Sequence, residues 1–175
     1  MKSIAKIVFL LSILILTGCQ RHKTSDNSQK SISNDQMIKV NKYLVERDNE
    51  LIEAYAKRRN WDMKTSGTGL WYIIWSKGSG EKALKGKTAE INYKVELLDG
   101  TLCYSSDSLG TKKFQIGKGL VEAGLDEGIL MMQEGDKARF IMPPHLAYNL
   151  IGDENKIPAR ATIVYHVELL KIYED

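Results

Sequence analysis

Histidine, cysteine, phenylalanine and proline are all scarce in this 175-residue chain, which has three His, two Cys, three Phe and three Pro. The histidines are scattered, and no Ser/His/Asp grouping accompanies them, which argues against hydrolytic chemistry. His145 has no carboxylate or cysteine near it in sequence and His22 falls in a polar stretch, so neither reads as a metal ligand. No Walker or G-x-G-x-x-G context is present. The two cysteines, Cys19 and Cys103, serve different ends, which argues against a disulfide framework. A marked excess of charge of either sign is also lacking. The formal +3 includes Lys2 and Lys6 of a leader segment, and without them 23 basic residues face 22 acidic ones. The basic residues are scattered rather than striped, so nucleic acid is excluded as a partner. The apolar run Ile7 to Leu16, broken only by Ser12, is too short to span a membrane, which takes about 20 residues.

What the amino end does have is Lys2 and Lys6 ahead of that run, the pattern of an export signal. The run closes on Leu16-Thr17-Gly18-Cys19, which resembles the bacterial lipobox. That resemblance implies a lipoprotein signal peptide over residues 1–18, cleavage before Cys19 and diacylglycerol on its sulfur. An ordinary signal peptide with an unmodified thiol is the alternative. Two or three acyl chains on one residue give stable anchoring where one is marginal. Gln20 is not aspartate and no acidic run follows. By resemblance to the sorting rules of diderm bacteria, this implies an outer-membrane lipoprotein facing the periplasm. Residues 19–34 are the lipidated cysteine and a polar tether that buries too little to offset its chain entropy.

Residues 35–62 read as an N-terminal helix. Asp35 to Asn60 contains neither Gly nor Pro, and Ser33 with Gln36 forms a capping box. Met37, Val40, Leu44, Leu51 and Ala54 recur at helical spacing, widened by Ile38, Val45, Ile52 and Tyr55. Arg47 and Arg58 interrupt a strict heptad. The stripe is expected to pack on the domain's own surface. The alternative is a homodimer arm over residues 35–60.

The remainder is strand-like. Leu70 to Ser76 is aromatic and β-branched. Residues 88–97 alternate, with Ala89, Ile91, Tyr93, Val95 and Leu97 inward, and Asp99-Gly100 is a hairpin signal. Residues 136–142 stop at Pro143-Pro144. The last strand sets Ile163, Tyr165, Val167 and Leu169 on one face, leaving His166 outward and exposed. Within this β pattern one short helix interrupts, in F-Q-I-G-K-G-L-V-E-A-G-L-D-E-G from residue 114 to 128, with Leu120, Val121 and Leu125 on its apolar side. The fold class is α+β: a curved antiparallel sheet wrapped around one short helix, preceded by an amphipathic helix. A pocket is expected between helix and sheet.

L-L-D-G, Y-S-S, the 114–128 stretch, the Gly135 turn, P-P-H-L-A-Y, I-P-A-R-A-T and V-E-L-L-K-I follow one another in order. Over residues 68–173 this resembles the FK506-binding-protein (FKBP) family of peptidyl-prolyl cis-trans isomerases. With the lipobox and the helix, it is most similar to the gliding-motility-associated FKBP lipoproteins. The resemblance implies an isomerase of exported proteins that twists X-Pro bonds non-covalently in an apolar aromatic pocket. It implies no cofactor, and proline-containing polypeptides as partners. Tyr93, Tyr148 and Tyr165 take the catalytic positions. Cys103, Tyr104, Phe114, Val121, Glu122, Leu125 and Ile157 take the substrate-binding ones.

Several positions depart from the family pattern. Cys103-Tyr104 stands where the family has Phe-Asp, Leu125 where it has a pocket-base tryptophan, and Glu122 where it has an isoleucine. Leu125 is expected to keep the floor apolar but shallower, and restoring an aspartate at 104 to raise the rate. A non-catalytic FKBP-like chaperone or assembly factor, and a structural lipoprotein with a vestigial cleft, are the competing readings.

Overall fold

The computed structural model of the chain describes residues 33–174. The expected signal peptide, Cys19, His22 and the expected tether up to residue 32 lie outside the described residues. The capping box forms as the sequence implies: the Ser33 N–H donates to Gln36 Oε1 at 3.0 Å, and the Gln36 N–H donates to Ser33 Oγ at 3.3 Å. Helix α1, Asn34–Arg58, follows it.

Seven antiparallel strands then form one sheet: β1 Lys64–Thr65, β2 Trp71–Ser76, β3 Thr88–Leu97, β4 Leu102–Ser105, β5 Lys112–Gln115, β6 Lys137–Met142 and β7 Ile163–Tyr173. The order is β1-β2-β6-β7-β3-β4, with β5 also paired to β3. The long strand β3 therefore meets β7 along one edge, while β4 and then β5 share its other edge. Between those two, the short helix α2, Ser106–Leu109, leaves the sheet. Alternation on β3 holds, with Ala89, Ile91, Tyr93 and Val95 buried. Asp99-Gly100 turns β3 into β4, with Gly100 at φ 92° and the Thr101 N–H donating to Asp99 Oδ1 at 2.8 Å.

Helix α3, Ala123–Ile129, buries Leu125 and Ile129 in the main core. Its bounds correct the expectation for Leu120, which is 67% exposed and precedes the helix. The Asp126 carboxylate accepts the N–H groups of Gly117 at 2.6 Å and Gly119 at 3.4 Å. Both glycines have positive φ, so this segment closes a loop instead of starting the helix.

A second apolar cluster lies on the sheet's other face, where Ile52 and Tyr55 of α1 meet Ile141 and Val164. Here the sequence stripe is corrected. Only the last turns of α1 dock, burying Ile52, Tyr55 and Ala56, while Ile38, Val40, Val45, Leu51 and Ala54 stay exposed. The phase is set by polar anchors that a hydrophobic pattern omits. Arg160 donates to both Asp48 oxygens, at 2.9 and 3.1 Å, and Trp71 Nε1 donates to Asn49 Oδ1 at 3.3 Å. Residues 48, 52, 55 and 56 then share the docked side.

His166 is also corrected. It is half-buried instead of exposed, because Trp61, just beyond α1, stands edge-on to it with ring centroids 6.0 Å apart. Burial pulls its pKa below the usual histidine value, against the opposing effect of Glu96.

Helix α3 can lie close to β6 because its inward positions include Gly124 and Gly128. A Cβ on Gly128 would come within 2.7 Å of the buried Phe140 ring, and one on Gly124 within 2.8 Å of Met142 Cγ. We predict that Gly128→Ala lowers unfolding free energy by about 1–3 kcal/mol in chemical denaturation, because overpacking outweighs the roughly 1 kcal/mol gain in helix propensity. An unchanged or higher midpoint would contradict this packing.

Candidate functional site

Tyr93 on β3 and Tyr165 on β7 lie on the same face of adjacent strands, with Val95 opposite Tyr165, and their rings tilt together 6.2 Å apart. Both are buried. Lys112, two residues before Phe114 on β5, shares the face of that residue. Its ammonium sits 5.0 Å from the Tyr93 ring centroid and 5.8 Å from that of Tyr165, a cation–π arrangement.

Glu122 occupies the N-cap position of α3 and turns its side chain inward, leaving 8% of the residue exposed. Its Oε1 accepts the hydroxyl of Tyr165 at 3.0 Å and that of Tyr148. Lys112 Nζ donates to Tyr165 Oη at 3.2 Å. The donors therefore run from Lys112 through Tyr165 to Glu122, with Tyr148 arriving from the other side. Burial, followed by the neighbouring Glu122, pushes both tyrosine pKa values far up, so both remain hydroxyl donors. Glu122 Oε2 is buried and takes no hydrogen bond among the described residues.

A second carboxylate organises the loop before Pro158. Asp153 accepts the Tyr104 hydroxyl through Oδ2, and the N–H groups of Ile157 at 2.7 Å and Asn155 at 3.0 Å through Oδ1. Burial alone would raise its pKa. The Tyr104 hydroxyl and these amides outweigh that and hold it below the usual carboxylate value. Cys103 supports the loop from below, its thiol 3.6 Å from the Lys156 carbonyl. Burial pushes that thiol up, away from nucleophilic reactivity.

Beside these networks is a hollow of about 310 Å³ lined by Lys112, Leu120, Val121, Glu122, Ala147 and Tyr148. Of the residues singled out from sequence, Val121, Glu122 and Tyr148 line it. Tyr93 and Tyr165 stand behind the Glu122 network. Phe114, Cys103, Ile157 and Leu125 are core, and Tyr104 is turned to Asp153. The apolar floor expected from Leu125 is corrected: that residue is wholly buried, and the hollow meets the Glu122 carboxyl instead. Lys112 and Asp153 were missed. The period-2 spacing of Lys112 from Phe114 could have shown the first. The second was visible only as a polar turn, Gly152-Asp153-Glu154-Asn155.

Residues 79–170 match the family described as FKBP-type peptidyl-prolyl cis-trans isomerase. The chain belongs to that family. It is 44% identical over 99 residues to FK506-binding protein 1A of Emericella nidulans, covering 55% of this chain and 92% of that one. With FK506-binding protein 2 of Yarrowia lipolytica it shares 41% over 96 residues, 54% of this chain and 67% of that one. Among solved structures, FkpA from Escherichia coli superposes with a TM-score of 0.64 at 31% identity, over 79% of this chain and 64% of that one. Sequence and structure thus agree on an FKBP domain of the isomerase class, an open antiparallel sheet with a few helices.

The FKBP domain here holds its pre-proline loop through Tyr104 and Asp153. We predict that Tyr104→Phe speeds amide hydrogen exchange at Asn155 and Ile157 by about tenfold, the loss of roughly one hydrogen bond to a charged group. Exchange unchanged at both amides would refute the role of this pair. Tyr104→Asp would also set a second carboxylate against Asp153 and loosen the same loop, a cost beside any gain in rate.

Proposed function

We propose that the FKBP domain isomerises X-Pro bonds of exported polypeptides at the hollow beside Tyr148, and that the protein does so from the cell envelope, anchored through Cys19. The observation that carries the site is the Tyr148 hydroxyl at the rim of a hollow bounded by Val121, with the Tyr93–Tyr165 pair behind it.

The chemistry is rotation about a bond with partial double-bond character, whose barrier is about 18–20 kcal/mol and whose uncatalysed time is tens of seconds. No bond is made or broken to nitrogen or carbon. A prolyl ring seated against Val121 and Ala147 loses water from its amide. This disfavours the polar planar form relative to the twisted one, whose carbonyl is less conjugated. Tyr148 donates to the substrate carbonyl by swinging its hydroxyl away from Glu122 Oε1. The backbone N–H of Glu122, at the matching family position, is the second donor. Glu122 holds Tyr148 in place until then.

A protease-free exchange measurement by NMR on X-Pro peptides, using residues 33–174, tests the reading. We expect catalysis above background and a fall of roughly tenfold in Tyr148→Phe, the size of one lost hydrogen bond. A rate equal to background in the unmodified domain would overturn the isomerase proposal.

Anchoring rests on the leader and the Leu16-Thr17-Gly18-Cys19 motif, which also support membership of the lipoprotein branch of the family. The likeness to FkpA proteins supports the coarser part, an envelope location. Full-length protein is expected in the membrane fraction and released to the soluble envelope fraction by Cys19→Ser. A soluble unmodified protein would remove the anchor from the proposal.

A further inference from the structure

Two successive lysines of β5 make the same kind of contact on opposite faces of the strand. Lys113, on the outer face, donates to the Tyr173 hydroxyl at 3.3 Å, and Tyr173 donates in turn to Glu90 Oε2 at 2.5 Å. That triangle is closed, because the Lys113 ammonium also pairs with Glu90 Oε2 at 3.3 Å. Lys112, on the inner face, repeats the first two sides with Tyr165 and Glu122, at 3.2 and 3.0 Å. The third side is missing. Among the described residues Lys112 forms no ion pair with Glu122, and its hydrogen bond ends on the Tyr165 hydroxyl.

The consequence falls on Tyr148. Glu122 Oε1, which Lys112 does not reach, accepts the Tyr148 hydroxyl beside that of Tyr165. Hydrogen bonds running one way along a chain polarise one another, so an ammonium on Tyr165 Oη makes the Tyr165 hydroxyl the stronger donor. An acceptor oxygen engaged by one strong donor holds a second less firmly. Lys112 is itself held for this task. Its ammonium lies 5.0 Å from the Tyr93 ring centroid and 5.8 Å from that of Tyr165, so two aromatic faces keep it at the hydroxyl. Tyr148 is the group that must leave Glu122 to reach a substrate carbonyl, and it lines the same hollow as Lys112.

We infer that Lys112 is a positioning residue for the isomerisation: acting through Tyr165, it loosens the hold of Glu122 on Tyr148 and so releases the Tyr148 hydroxyl to the carbonyl of the rotating amide. The inference deepens the isomerase reading and rests on it for the step that Tyr148 performs. The coupling of Lys112 to Tyr148 is a property of the domain without peptide, and is read separately.

The test compares the unmodified domain with Lys112→Met, which keeps the stem but neither donates nor carries charge, and with Lys112→Arg, which keeps both. Lys113→Met is the control for loss of a β5 lysine, and circular dichroism confirms that each variant is folded. Exchange of the Tyr148 hydroxyl proton with water is followed by NMR without peptide, and turnover of X-Pro peptides by NMR exchange. We expect Lys112→Met to slow the hydroxyl exchange by about threefold, since Glu122 then grips Tyr148 more tightly. Its kcat should fall about fivefold with KM nearly unchanged, because the bond concerned tightens only as the amide twists. Lys112→Arg should restore both readouts, Lys112→Gln, a donor without charge, should fall between, and Lys113→Met should leave both unchanged. In a Tyr148→Phe background Lys112→Met should lower turnover no further. Turnover that Lys112→Met leaves unchanged, or lowers equally with and without the Tyr148 hydroxyl, overturns the inference, as does an unchanged hydroxyl exchange. An unmodified domain that turns over no peptide, in which Lys112→Met still slows the exchange, would sink the isomerase proposal and leave the coupling of Lys112 to Tyr148 standing.

Discussion

The close approach of α3 to the sheet is the constraint from which the site follows. A seven-residue helix has few hydrogen bonds of its own and is held by what it buries. Gly124 and Gly128, one turn apart, remove two side chains from the contact, and Met142 and Phe140 fill the space. With the helix that near, its N-cap residue is carried over β7, and Glu122 comes within reach of Tyr165. The loop around Asp126 then has a fixed path from β5 to the helix, which sets Val121 at the edge of the hollow. One packing distance thus decides where the carboxyl, the apolar rim and the tyrosine meet.

Much of the fold could be read from pattern because its signals are local. The alternation on β3, the Asp99-Gly100 turn and the Ser33/Gln36 cap each depend on residues within a few positions of one another. The rotation of α1 could not be read in this way. Its apolar residues cover more of its circumference than the domain can bury. The choice among them falls to Asp48 and Asn49, whose partners Arg160 and Trp71 are 112 and 22 residues away. His166 was misjudged for a related reason: alternation tells which side a strand residue faces, and here both sides are covered.

At the site, the departures from the family pattern were visible as letters but not as chemistry. Taken singly, Tyr104 is an aspartate lost and Glu122 an isoleucine lost. In three dimensions the two losses differ. The carboxylate near Tyr104 is supplied by Asp153, from a loop 49 residues on, and serves to tie down that loop. The carboxyl at Glu122 enters the place where an apolar side chain was expected. It can do so because Tyr148 and Tyr165 both donate their hydroxyls to it. A phenylalanine at 165 would have left Glu122 with one hydroxyl fewer and a higher desolvation cost.

An acid in the wall of the hollow proposed for isomerisation runs contrary to the reaction, since the twisted amide is favoured by a poor solvent. The conflict lessens once the charge is followed. Oε1 is shared between two hydroxyls, and its field is met on the far side of Tyr165 by the Lys112 ammonium. Its other oxygen, Oε2, takes no hydrogen bond among the described residues and is closed to solvent, while the hollow alongside is bounded by apolar Val121 and Ala147. A carboxyl held in this way does little to solvate a rotating amide. The Glu at this position therefore acts on the two tyrosines that frame the hollow before it acts on any rotation there.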